Sequence, residues 1–181
     1  MRDPGETRPF RGPTGEVVSG SIAEVAYLRL GGLDQWVMIR GESITNPPLM
    51  LLHGGPGFSE TRFFRLFNAP LEKIFTVVYW DQRGTGKSCD HHISQSSMTV
   101  ERFIADLDEL VEAVCKRVGK KKVALLGLCS RRALRRAVPR EGRGLRLKQT
   151  SRRLVGSRPR REVVEQKSQD TAAFQDVEDD T

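Results

Sequence analysis

Three short stretches carry residue types whose spacing could do chemistry. The first is HGGPG, His53 to Gly57. Glycine lets the backbone approach a ligand closely, and the N–H groups of Gly54 and Gly55 could receive a developing oxyanion. The same residues also suit a plain glycine turn at the end of a strand, and the motif alone does not separate the two. The second is DQRGTGKS, Asp81 to Ser88. Its ending resembles a phosphate loop, but Asp81 stands where that pattern needs Gly. The CDHHISQSS that follows reads as loop, whereas a phosphate site needs a helix N-terminus at once. Nucleotide binding is rejected, and Asp81 and Arg83 are expected to pair and hold the turn. His91 and His92 are neighbours with no carboxylate or Cys pattern to complete a metal set, so they read as exposed loop histidines. The third stretch is GLCSR, Gly127 to Arg131, where a thiol, Cys129, follows an apolar run.

Positioning these stretches falls to elements that are legible in the hydrophobic pattern. PPLMLLHGG (47–55) and IFTVVYW (74–80) are short, continuously apolar runs, and KKVALLG (121–127) is a third. Uniformly apolar strands are buried on both faces, the habit of a parallel sheet covered by helices. SIAEVAYLRL (21–30), a GGLD turn and QWVMIRG (35–41) read as a hairpin ahead of them. TRFFRLF (61–67) is a short helix candidate. From Thr99 to Gly119, apolar residues recur at spacings of three and four, including Phe103, Ile104, Leu107, Leu110, Val114 and Val118. Thr99 is the expected N-cap and Gly119 the expected stop. The order is hairpin, then strand–helix–strand–helix–strand, the first half of an α/β domain.

Charge divides the chain. Residues 1–128 hold 16 Lys/Arg against 15 Asp/Glu, and residues 129–181 hold 14 against 8, which together give the net charge of +7. Between Arg131 and Arg161 there are 12 Arg and Lys148 against a single acid, Glu141. The segment is too polar to bury a core, so residues 129–181 are expected to be a disordered Arg-rich tail. The Pro-, Gly- and charge-rich residues 1–16 are expected to be a mobile arm, leaving 17–128 as the folded domain. Three scattered cysteines fit a reduced compartment, and there is no apolar leader or membrane-length run, so the expected location is cytoplasmic without membrane attachment.

HGGPG after one buried strand, VVYWDQRGTGKS after the next, then an amphipathic helix and KKVALLG, together resemble an α/β-hydrolase of the proline iminopeptidase type. The resemblance runs from Ser21 to Gly127, the N-terminal half only, and implies a sheet of a hairpin plus three parallel strands with helices on its faces. It implies an oxyanion-hole role for Gly54 and Gly55, with His53, Pro56, Gly57, Asp81 and Arg83 on active-site loops. It implies a peptide substrate cleaved after an N-terminal residue, often proline, by a Ser-His-Asp triad with no cofactor and no metal.

The chain departs from that family at its nucleophile. The family continues with a G-x-S-x-G elbow, and here Cys129 occupies the nucleophile position. A thiolate is a competent nucleophile, but Arg131 replaces the Gly that lets the strained turn form. The last His is His92, so no base follows the elbow. The nucleophile Ser, acid and His of the triad are therefore not present, no catalytic set is intact, and the chain is expected to be a truncated, catalytically silent relative. Regrouping the codons of Ala133 to Leu145 one base later permits LYAARFPEKVAA, which is what the family's next helix and strand start look like. The tail thus reads as frame-shifted, and the coding DNA decides that point directly. With nothing beyond the fifth strand, Val123–Leu126 should be a bare apolar edge. The alternative is a binding protein that applies the basic 131–161 segment to nucleic acid or acidic surfaces. Its lack of aromatics for stacking and of one helical face for the arginines disfavours nucleic acid.

Overall fold

The computed structural model describes residues 2–54 and 58–127, together with the backbone of 145–149. Its sheet begins with β1 (Ile22–Leu30) and β2 (Leu33–Gly41), followed by β3 (Pro48–Leu52), α1 (Thr61–Asn68) and β4 (Thr76–Trp80). Helix α2 (Val100–Val118) leads to β5 (Val123–Gly127), and β6 (Leu145–Gln149) completes the described elements. Strand order is β1-β2-β4-β3-β5-β6. The hairpin and its junction with β4 are antiparallel, and β4, β3, β5 and β6 run parallel.

The hairpin closes through Gly31 and Gly32, both at positive φ (53° and 77°), the backbone that a two-residue turn matching strand twist demands. β3 and β4 are buried along their whole length. Their side chains alternate between two cores. Met50, Leu52, Val78 and Trp80 join Leu107, Leu110, Val114 and Val118 of α2, and Leu49, Leu51, Val77 and Tyr79 join Phe64 of α1. Helix α2 has the expected ends: the Thr99 hydroxyl accepts from the Arg102 N–H (3.2 Å), and Gly119 takes the left-handed C-cap conformation at φ 67°.

Two expectations meet a different outcome. The edge of β5 is not bare, because the β6 backbone pairs with it in parallel from Val123↔Leu145 to Gly127↔Gln149. Strand pairing draws on main-chain N–H and C=O groups, which an open apolar edge leaves unsatisfied, so an arginine-rich sequence can still supply it. The rest of the expected tail lies outside the described residues.

The N-terminal arm, expected to be mobile, is seated on the sheet. The Trp36 indole and the Lys87 ammonium both donate to the Pro4 carbonyl (2.9 and 2.8 Å). Arg40 donates to the Thr7 hydroxyl and the Arg8 carbonyl, both at 2.6 Å, with its guanidinium 4.5 Å from the Phe10 ring centre. Donors buried in the sheet need acceptors, and the arm provides them. No helix among the described residues is long and apolar enough to cross a membrane.

Candidate active site

β3, β4 and β5 end side by side at one rim of the sheet, with Leu52 in register with Gly127 and Leu51 with Tyr79. In parallel sheets, ligands bind outside these carboxyl ends. His53 and Gly54 leave β3 there, and the loop Asp81–Ser88 leaves β4. The two loops are joined. His53 is buried, its Nε2 accepts from the Gln82 N–H (3.1 Å), and its carbonyl accepts from the Gln82 side-chain amide (3.2 Å). The Thr85 hydroxyl lies 3.1 Å from the same ring nitrogen. A ring nitrogen that accepts carries no proton, so this geometry fits a neutral imidazole. Burial pushes the His53 pKa below the ordinary 6.5, against smaller opposing effects of the Gly54 carbonyl and the Asp81 charge.

Asp81 clasps the segments on either side. Its carboxylate accepts from the Ser59 hydroxyl, the Thr61 hydroxyl (3.2 Å) and the Lys87 N–H (2.9 Å). Gly86, at φ 46°, is required beside it, since a Cβ there would overlap that carboxylate. The expected Asp81–Arg83 pair does not form. Arg83 turns to the other side of the loop, where its Nε donates to Asp106 of α2 at 2.9 Å. Asp81 is already saturated by hydroxyl and amide donors, while Asp106 has its charge buried at 0 % exposure and needs a cation.

The structure thus brings His53, Gly54 and Asp81 to one rim and sends the Arg83 side chain away from it. Gly55, Pro56, Gly57 and Cys129 lie outside the described residues. His91 and His92 are exposed, and Gly86–Ser88 form one 3-10 turn with no α-helix before Val100. Among the described residues no group of three His, Cys, Asp or Glu is placed to hold a metal. Asp106 was missed in the sequence, although a signal existed. It stands three residues after Phe103 and four before Leu110, a carboxylate within the apolar stripe.

His53 makes stability pH-dependent with a definite sign. The unfolded imidazole binds a proton as pH falls through about 6.5, whereas the folded one stays neutral, so stability is present above that pH and lost below it. Urea unfolding is expected to weaken between about pH 7 and 5.5, with the slope flattened in His53→Gln. An identical slope in the variant would assign the effect elsewhere.

Comparison with known proteins agrees with this geometry. The family model for the alpha/beta hydrolase fold matches residues 47–130. A probable aminopeptidase of Bacillus subtilis is 41% identical over 107 residues, which are 59% of this chain and 34% of that protein. A proline iminopeptidase of Lactobacillus helveticus is 30% identical over 112 residues, covering 62% of this chain and 35% of the relative. Among solved structures, a proline iminopeptidase-related protein from Thermus thermophilus superposes with a TM-score of 0.53 at 30% identity, over 64% of this chain and 41% of the other. The chain therefore spans about a third of the length of these curated relatives. With the strand order, the two motif loops and these likenesses in agreement, residues 47–130 match the α/β-hydrolase fold, and the chain is similar to proline iminopeptidases over about a third of their length.

Proposed function

We propose that the described rim is the oxyanion side of a peptidase site. In this reading Gly54 and Gly55 present their N–H groups to the tetrahedral oxygen formed when the bond after a peptide's N-terminal residue is attacked. His53 and the Asp81 loop hold that backbone in place. The substrate class is a peptide with a free N-terminus, proline foremost, and no cofactor takes part. The relatives' names as proline iminopeptidases and an aminopeptidase support the substrate class.

These 181 residues by themselves do not turn the substrate over. One observation carries that reading: among the described residues no histidine is placed as a general base. The chain has three. The His53 Nε2 is committed to the Gln82 amide, His91 and His92 sit exposed on the loop before α2, and none follows Cys129. Without a base, an elbow thiol has nothing to take its proton.

A proline arylamide is the direct probe. Release of the arylamine is expected to stay at the buffer rate for the full chain and equally for Cys129→Ala. Turnover abolished by Cys129→Ala would establish a working thiol and sink the silent reading. Turnover that survives the substitution would sink it too, and would place the nucleophile elsewhere.

A further inference from the structure

The loop that pins His53 is itself held from the far side of the sheet. Arg83 is 2 % exposed and Asp106 0 %, and they meet as a fork: Nε to Oδ2 at 2.9 Å and Nη2 to Oδ1 at 3.1 Å. The same Nη2 donates to the Gly31 carbonyl in the hairpin turn (3.0 Å). Asp106 also accepts from the Gln35 side chain (2.7 Å) and from Arg102 (3.0 Å), and Gln35 accepts from the Trp80 indole (3.0 Å). Gly31 admits no side chain, since a Cβ would overlap both Arg102 and Asp106.

A buried ion pair is poor evidence for stability, because removing two charges from water costs about as much as their attraction returns. What such a pair supplies, when every lone pair and proton is satisfied, is one geometry. Here the geometry has a target. Arg83 directly follows Gln82, whose N–H meets the His53 ring and whose side chain meets the His53 carbonyl. Locking the Arg83 guanidinium fixes the direction of the Gln82 peptide, and with it the exit of β3 at His53–Gly54.

We infer that Asp106, acting through Arg83, is a positioning residue for the His53–Gly54 strand end, so that helix α2 sets the backbone where β3 ends from the opposite face of the sheet. The inference gives the proposed oxyanion loop its support. Because it is read without turnover, it stands or falls separately from the peptidase reading.

The test uses the full chain and a double variant, Arg83→Met with Asp106→Leu, which removes the pair without stranding either charge. Arg102 is partly exposed and can turn to water, and Gln35 keeps the Leu30 carbonyl and the Trp80 indole. Amide hydrogen exchange at Gln82 is expected to accelerate about tenfold or more, while Val78 in the middle of β4 changes by less than about twofold. The His53 ring nitrogens, followed by NMR, should lose the signature of an accepting Nε2, and their titration midpoint should rise. Unchanged Gln82 exchange and His53 signals in the folded variant would overturn the inference. So would exchange that accelerates in step at Gln82 and Val78, including through failure to fold, because that is the mark of a merely structural pair.

Discussion

Glu72→Ala is expected to lower the stability of the chain by about 3–5 kcal/mol in urea unfolding, the range for stranding a buried charge. Glu72 sits on the 3-10 turn after α1 and is 3 % exposed. One carboxylate oxygen accepts from Arg40 Nε at 2.9 Å, and the other accepts from the Tyr79 hydroxyl at 2.7 Å with Arg65 nearby at 3.4 Å. Arg40 is 5 % exposed, and its other partners, Thr7 and the Arg8 carbonyl, carry no charge. Truncation therefore leaves a guanidinium without a counter-ion and a phenol without an acceptor, each a separate penalty. Burial foremost, with the hydrogen bond to Glu72, holds the Tyr79 hydroxyl far above its ordinary ionisation range, so it remains a donor at any working pH.

The companion variant separates charge from contact. Glu72→Leu combined with Arg40→Met is expected to recover most of the loss, since the costly state is the unpaired ion and not the missing pair. It should also loosen the N-terminal arm, whose Thr7 and Arg8 are held by Arg40. Amide exchange over residues 7–10 would report that. If the double variant is as unstable as Glu72→Ala, the stranded-charge account is wrong and the loss lies at Tyr79, whose hydroxyl loses its acceptor in both variants.

These interactions show why some of the molecule was legible in sequence and some was not. Helix α2 was readable because its apolar spacing, its Thr99 cap and its Gly119 stop are all local signals, and the three parallel strands were readable as short unbroken apolar runs. Ion-pair partners are different. Arg83 finds Asp106 and Arg40 finds Glu72 across the fold, and sequence proximity pointed instead to Asp81 as the partner of Arg83. Composition likewise argued for a mobile arm, yet composition says nothing about buried donors waiting elsewhere for carbonyls. Its Pro and Gly residues do not prevent the arm from supplying them to Trp36 and Arg40. HGGPG does follow a buried strand, as its sequence context indicates, but the seat of His53 depends on a ring nitrogen meeting a backbone N–H from the next loop. No spacing rule encodes that.

Leu110→Ala is expected to cost about 2–5 kcal/mol, toward the upper end because the cavity it opens is bounded by a sheet that cannot collapse inward. Leu110 is 0 % exposed and lies at the middle of the α2 stripe, in the core that also holds Met50, Val78, Val123 and Leu125 at 1 % exposure or less. The strands behind that core are tied on both sides by backbone pairing, so the void cannot be closed by moving one of them alone. On the outer face of α1 the expectation reverses. Phe67 is 73 % exposed, and Phe67→Ala should change stability by less than about 0.5 kcal/mol. The contrast is measured by urea midpoints for both variants at constant slope. A Leu110→Ala loss no larger than that of Phe67→Ala would mean that α2 is not packed on the sheet as described. The seat of Asp106, one turn earlier on the same helix, would then fall with it.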